Sequence, residues 1–363
     1  MDRQEGRSRP LMKLLVTGGA GFIGSAFIRL MQGSAERPRI INLDKLTYAG
    51  NLENLKSVAH LGSYRFVQGD ICDAGLVDAL IAEEKPDAIV HFAAESHVDR
   101  SILSPGPVFE TNLRGTFTLL EAARMYRVGR FIHISTDEVY GSLEAPAEAD
   151  ETFPLNPSSP YSAAKAGSDL LARSYFATYR VPVIITRASN NYGPYQFPEK
   201  LLPLMISNAL AGRPLPVYGD GLQVRDWLHV DDHCRAIRAV LEQGREGEIY
   251  NVGGSRALPN LDVVRKILVA TGAPESLIRY VEDRPGHDRR YALSSARIAR
   301  QTGWTAQVEF EDGLASTIDW YQQNAVWVDR VKSGEYLNYY ARNYDHRESE
   351  LGKTSVPRGS PKA

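Results

Sequence analysis

Cysteine is nearly missing: Cys72 and Cys234 are the only two in 363 residues. That excludes a disulfide framework and fits a reducing compartment, so a cytoplasmic protein is expected. No apolar run reaches the ~20 residues that a membrane helix needs. Met1 to Pro10 is polar throughout and lacks the apolar stretch of a secretory signal. Neither sign of charge dominates. Lys and Arg number 42 against 44 Asp and Glu, a net charge of −2, which argues against nucleic acid as the main partner. Internal repeats and low-complexity segments are also lacking. What the chain does have is 43% hydrophobic residues, enough for one large core or two linked ones. Its polar ends, 1–10 and 347–363, are expected to be tails.

Strand and helix signals alternate through the first half. Lys13-Leu14-Leu15-Val16-Thr17 reads as a short buried strand, and a helix pattern covers Ser25 to Gln32. Between them lies Gly18-Gly19-Ala20-Gly21-Phe22-Ile23-Gly24. Its glycines allow a tight turn and let backbone N–H groups approach a pyrophosphate at the helix start. Such a pattern alone is common in structural turns, but here strand and helix flank it. A second apolar run, Arg39 to Leu43, ends at Asp44, about twenty residues after the last glycine, the spacing of the dinucleotide fingerprint. An acid there suits ribose hydroxyls and repels a 2′-phosphate, so NAD is expected over NADP. Further strands are expected at Tyr64–Gln68, Ala88–Phe92 and Val183–Arg187, with helices over Pro105 to Tyr126 and Tyr161 to Tyr179. Repeated βα units predict a parallel, doubly wound α/β sheet, joined here by a smaller mixed α/β part.

The chemistry concentrates after the run Arg130 to Ile134, in Ser135-Thr136-Asp137-Glu138-Val139-Tyr140-Gly141. Two acids follow a buried strand, at the edge where open α/β sheets bind ligands. Tyr161 and Lys165 lie four residues apart and share a helix face. An ammonium beside a phenol is expected to lower the phenol's pKa and make it a usable base. Asp137 and Glu138 can both reach one substrate only if the strand has ended by Asp137, because neighbours on a strand point to opposite faces.

Beyond Arg187 the texture changes. Asn190 to Pro198 reads as a polar, aromatic loop, and basic residues recur at Lys200, Arg225, Arg284, His287, Arg289 and Arg290. One such arginine alone reads as a solvated face; several on loops opposite a cofactor-binding half fit an anionic substrate such as a diphosphate. Helices are expected at Asn260 to Thr271 and Phe310 to Asn324. His229 and His233 have metal-friendly spacing but no following Glu, and Asp231 or Asp232 equally reads as a helix cap, so no metal is expected. His91 reads as a core histidine, and Trp320, Tyr321 and Trp327 as packing aromatics.

Together the glycine loop, Asp44 and Tyr161-x-x-x-Lys165 resemble the extended short-chain dehydrogenase/reductases, the NAD-dependent epimerase/dehydratase family. More narrowly, His91 to Ser101, Ser135 to Gly141, Asn190 to Pro194, Pro198 to Leu201 and Arg284 to Tyr291 resemble its dTDP-glucose 4,6-dehydratases, from about Met12 to about Tyr344. The Thr-Asp-Glu triplet is the specific part, since the 4-epimerases of that fold usually carry serines there. Ser294 stands where the family commonly has Asp, which bears on a local contact or helix cap.

The resemblance implies a nucleotide-sugar dehydratase acting on dTDP-glucose with tightly bound, recycled NAD. Residues 11–190 would bind NAD, with a returning segment near 225–252, and 191–345 mainly the sugar nucleotide. Thr136, Asp137, Glu138, Tyr161 and Lys165 would be catalytic. Gly18, Gly21, Phe22, Ile23, Gly24, Asp44, Lys45, Thr47, Gly50, Asp70, Ile71, Ala93, Ala94, Ser96, Thr111 and Asn191, with Tyr161 and Lys165, would meet the cofactor. Ser96, Thr136, Asn190, Lys200, Leu201, Pro216, Tyr218, Arg225, Asn260, Arg284, His287 and Tyr291 would meet the substrate. The family also pairs the helices expected at Pro105–Tyr126 and Tyr161–Tyr179 into a homodimer. A UDP-sugar dehydratase or 4-epimerase on the same fold stays open as an alternative, as does a non-catalytic NAD-sensing regulator.

Overall fold

The computed structural model describes residues 12–254, 256–332, 340 and 344, so both expected tails lie outside the described residues. From the start of the chain run β1 (Lys13–Thr17), α1 (Phe22–Gln32), β2 (Arg39–Asp44), β3 (Tyr64–Gln68), α2 (Ala74–Glu84), β4 (Ala88–His91), α3 (Val98–Leu103), α4 (Gly106–Phe109), α5 (Thr116–Met125), β5 (Arg130–Thr136), α6 (Pro160–Tyr179) and β6 (Val183–Ala188). There follow β7 (Asn190–Tyr192), α7 (Leu201–Leu210), β8 (Leu215–Tyr218), β9 (Val224–His229), α8 (Val230–Gln243), β10 (Ile249–Val252), β11 (Ala257–Pro259), α9 (Asn260–Thr271), β12 (Ile278–Val281), α10 (Ala296–Thr302), α11 (Phe310–Gln323) and α12 (Ala325–Val331).

Seven parallel strands form the main sheet in the order β10-β6-β5-β4-β1-β2-β3. Alternation along each strand feeds both faces. Leu14 and Val16 of β1 pack into one core with Phe27, Ile28, Ile237 and Val240; Leu15 packs into the other with Leu119, Leu120 and Phe131. Burying one such side chain contributes roughly 1.5–3 kcal/mol, so a one-residue slip that turned the set over would be costly. The chain winds outward in both directions from β1. The crevice therefore opens between the carboxyl ends of β1 and β4, where ligands of such sheets bind.

The smaller part holds β7, β9 and β11 in one sheet and β8 with β12 in another. Its own core includes Tyr192, Met205, Trp227, Ile267, Phe310, Tyr321 and Trp327, with Trp320 packed against it. The chain returns to the large sheet through α8 and β10, whereas β9 belongs to the small one.

Three expectations need correction. Pro105 to Tyr126 is not one regular helix: a π-helical turn, Glu110–Gly115, separates α4 from α5. There the Asn112 side chain accepts from Glu95 N–H at 2.9 Å and donates to the Glu95 carbonyl at 3.0 Å. The first residues of the expected loop, Asn190–Tyr192, form β7, which pairs parallel to β9. The cap of α8 is neither Asp231 nor Asp232 but His229, whose Nδ1 accepts from Asp231 N–H at 3.3 Å. Buried Asp232 instead accepts from the N–H groups of Gln307 and Val308 at 3.0 and 2.8 Å. Ser294 donates its backbone N–H to the Ala149 carbonyl at 2.9 Å, and Ser295 takes the N-cap position of α10. His91 sits between two hydroxyls, Thr17 at 2.8 Å and Thr116 at 3.0 Å, as a satisfied core histidine.

Among the described residues, no helix is long and apolar enough to cross a membrane.

Candidate active site

One continuous cavity runs from the Gly18 loop to Arg225, Arg284 and His287. Every residue named above for cofactor, substrate or catalysis lines it, apart from Tyr291 and two of the basic residues expected to meet an anion: Arg289 pairs with Asp220 at the surface, and Arg290 donates to the Ala147 carbonyl.

At the first end Gly18 has φ +71°, and a Cβ there would stand 2.5 Å from Ala93 N, so β1 and β4 can close together only over a glycine. Gly21 differs. A Cβ on it would meet only the Gly18 carbonyl, at 3.3 Å, and would otherwise project into open space. Gly21 is also the N-cap of α1 and supplies no capping side chain, so the first helical N–H groups lack one. Open space over an uncapped helix start fits a pyrophosphate. Asp44 is buried at the end of β2. Its two oxygens accept from Ala20 and Leu46 N–H, each at 2.8 Å, which leaves further lone pairs for hydroxyls. Burial raises its pKa against those two donors. Lys45 is paired with Asp70 at 2.7 Å. These residues fit NAD.

At the centre β5 stops at Thr136, and Asp137–Tyr140 forms a 3-10 turn. Thr136 Oγ1 caps the turn by accepting from Glu138 N–H at 3.3 Å. Gly141 closes it with φ +72°, where a Cβ would come within 2.2 Å of the Asn156 carbonyl. The strand therefore ends where both acids can face one cavity. Across from them stands α6. Ser159 and Ser162 form its capping box, Pro160 starts it, and Arg180 ends it in the left-handed region. Tyr161 and Lys165 both lie on its buried face.

The electrostatics separate the two acids. Burial pushes Asp137 well above the usual carboxylate range, and the neighbouring Glu138 charge pushes it further. Its Oδ1 accepts from the Thr136 hydroxyl at 3.2 Å, while Oδ2 has no partner among the described residues. Burial raises Glu138 too, but the cations of Arg284, Arg225 and Lys200 oppose it. Asp137 is thus the proton holder and Glu138 the stronger candidate base. The expectation for Tyr161 is overturned. Burial, then the Glu138 charge, push its pKa up, and the Thr136 hydroxyl opposes them. The Lys165 ammonium donates instead to the Ile134 carbonyl at 2.7 Å, and burial lowers its own pKa to about 8.

Cations gather at the far end. Lys200 Nζ donates to the Ser96 carbonyl at 2.5 Å. Arg225 donates to the Val224 and Asp288 carbonyls at 2.8 and 2.9 Å. Arg225 is on β9, not on a loop. Tyr291 is a correction: it lies behind the wall, with its ring 4.2 Å under the Arg225 guanidinium and its hydroxyl donating to Asp288 at 2.7 Å. It supports Arg225 rather than meeting a ligand. Arg284 stands 3.8 Å from Asp99, and burial pushes His287 down to about 4 beside Asp283.

Several wall residues escaped sequence reasoning: Glu95, Asp99, Glu199, Gln223, Trp227 and His233. Gln223 and Trp227 flank Arg225 at alternate positions, so strand alternation there could have found them. Gln223 Oε1, Trp227 Nε1, Asn190 Oδ1 and Asn260 Oδ1 are buried without hydrogen-bond partners among the described residues, as groups waiting for a polar ligand would be. His233 accounts for half of the metal-like histidine pair: its Nδ1 lies 2.8 Å from Asn191 Oδ1.

Comparison with known proteins agrees with this geometry. The family model described as GDP-mannose 4,6 dehydratase matches residues 15–317. A dTDP-glucose 4,6-dehydratase of Xanthomonas campestris pv. campestris (strain B100) is 53% identical over 340 residues, covering 89% of this chain and 96% of the relative. One from Escherichia coli (strain K12), dTDP-glucose 4,6-dehydratase 1, is 50% identical over 362 residues, covering 93% of this chain and 100% of its own. The crystal structure of a dTDP-glucose 4,6-dehydratase from Streptomyces venezuelae with NAD and TYD bound superposes with a TM-score of 0.86 at 53% identity, covering 88% of this chain and 100% of that one. Fold, site and likeness over nearly the whole length agree: the chain belongs to the dTDP-glucose 4,6-dehydratases of the extended short-chain dehydrogenase/reductase family.

Proposed function

We infer that the protein converts dTDP-glucose to dTDP-4-keto-6-deoxyglucose and water. The observation that carries this is the facing of two sets of proton-moving groups, Tyr161 with Lys165 and Asp137 with Glu138, across one cavity between a dinucleotide loop and a cation cluster. Bound NAD would supply a hydride acceptor for C4, a hydride donor for C6 and a positive charge favouring the Tyr161 phenolate. Thr136 holds the sugar 4-hydroxyl, and Tyr161 takes its proton while Lys165 stabilises the phenolate. The resulting 4-ketone acidifies the C5 proton, which Glu138 removes. Asp137 protonates the departing 6-hydroxyl, which leaves as water, and once C6 has its hydride a proton goes back to C5 from Glu138. Lys200, Arg225 and Arg284 take the diphosphate, and residues 11–190 with the returning segment hold the dinucleotide while 191–345 hold mainly the sugar nucleotide.

The test follows one hydrogen. Substrate deuterated at C4 is expected to give product with deuterium in the C6 methyl group, and the reaction in heavy water to place solvent deuterium at C5. Deuterium lost to solvent, or retained at C4, would overturn the reading. Running UDP-glucose alongside separates the thymine-specific enzyme from a UDP-sugar dehydratase.

Cofactor choice rests on Asp44. Replacing it by Ala removes a carboxylate that suits two hydroxyls and repels a phosphate. Asp44→Ala is expected to weaken NAD binding and to relax discrimination against NADP, measured by titrating each dinucleotide. Unchanged retention of NAD would place the ribose elsewhere.

We also propose a cytoplasmic homodimer. Phe109, Phe117, Leu170 and Tyr179 on α4, α5 and α6 are each 41–54% exposed, an apolar surface for a second copy. Light scattering is expected to return twice the chain mass at micromolar concentration; a monomer mass throughout would contradict it.

A further inference from the structure

On α6, Tyr161, Lys165 and Asp169 recur every fourth residue, so the three side chains run along one helix face. The reaction as derived uses only the first two. Asp169 is fully buried. Its Oδ2 accepts from Arg187 Nε on β6 at 2.8 Å, and its Oδ1 lies 3.4 Å from His133 Nε2 on β5. Arg187 continues the chain of contacts by donating to the Tyr140 hydroxyl at 2.9 Å, which donates to Asn251 Oδ1 at 2.8 Å. Tyr140 closes the turn that carries Asp137 and Glu138.

We propose that Asp169 is a positioning residue for C4 oxidation, the fixed counter-charge that keeps buried Lys165 an ammonium. This rests on the role given above to Lys165. The titratable groups around Lys165 are few. Tyr161 lies on its own helix, with Asp137 and Glu138 beyond it across the cavity. His133 faces it from β5 and His91 from β4, and burial drives the pKa of each down, that of His133 to about 4. The Ile134 carbonyl takes one ammonium hydrogen but brings no full charge. Burial pulls Lys165 down, and Asp169 is the carboxylate that opposes it. Arg187 and His133 in turn hold Asp169 ionised, with a pKa of about 2. A neutral Lys165 could not stabilise a phenolate at Tyr161, so the counter-charge decides how far into alkali the reaction runs.

The test titrates Lys165 in the holoenzyme. Its ε-carbon, labelled with ¹³C and assigned by comparison with Lys165→Arg, reports the pKa without any substrate, and the pH dependence of kcat/KM for dTDP-glucose reports it in turnover. In Asp169→Asn both are expected to fall by about one unit, because a carboxylate one helical turn away is lost from a poorly solvated site. Asp169→Glu is expected to restore most of the shift. Tyr140→Phe breaks the same network without removing the charge and is expected to leave the Lys165 titration where it was. Asp169→Asn leaves the Arg187 charge unpaired and threatens folding, so the double variant Asp169→Asn, Arg187→Met removes both charges and is expected to show the same fall. A Lys165 titration unmoved in these two, or moved as far by Tyr140→Phe, overturns the proposal. A normal fall in the carbon titration with no turnover of dTDP-glucose by the parent would overturn only the assigned reaction.

Discussion

Glu138→Gln is expected to lower product formation by about 10²–10⁴, the range for losing one proton-transfer group, while substrate binding holds or tightens. Gln keeps the shape and the hydrogen-bonding reach but cannot accept the C5 proton. Binding holds because the charge lost is one that occupies Arg284, Arg225 and Lys200, the three cations that pull on Glu138. With that carboxylate gone, all three are left to a diphosphate. The measurement splits kcat from KM and follows C5 in heavy water. The parent is expected to build solvent deuterium into C5, and the variant to leave C5 unexchanged. Product formed at the parent rate would remove Glu138 from the role of base.

Much of this arrangement was legible in the sequence because local chemistry decides it. The Gly18 loop, Asp44 and the start of α6 each depend on neighbours within a few residues. Glycine spacing, an acid at a strand end and a Ser-Pro helix start carry that information in the chain itself. What was not legible depends on contacts distant in sequence. The π turn at Glu110–Gly115 lets Asn112 hold the backbone of Glu95, seventeen residues earlier. Tyr291 reads as a ligand contact in its motif, but packing over it by Arg225 puts it behind the wall. The direction of the Tyr161 pKa came out opposite because its burial, and its closeness to Glu138, belong to the fold and not to the spacing from Lys165. The ending of β5 at Thr136 likewise depends on the close approach of Gly141 to Asn156.

Asp137→Asn is expected to act in two opposite directions, losing activity by about 10²–10⁴ and gaining stability at neutral pH. The loss follows from removing the proton that leaves with the 6-hydroxyl. The gain follows from linkage. In the folded protein, burial and the Glu138 charge raise the Asp137 pKa well above its ordinary value of 3.8. Between the two values the unfolded chain has released this proton and the folded chain still holds it. The folded state therefore binds more protons, and its stability falls as pH climbs through that window. Asn has no proton to hold and escapes the fall. Melting curves across pH are expected to show variant and parent nearly alike at the acid end. The variant's advantage should open as pH rises above 3.8 and level off once the folded pKa is passed. A variant less stable than the parent at every pH would mean that Asp137 is ionised and usefully paired in the folded protein, and it could not then serve as the acid for the departing hydroxyl.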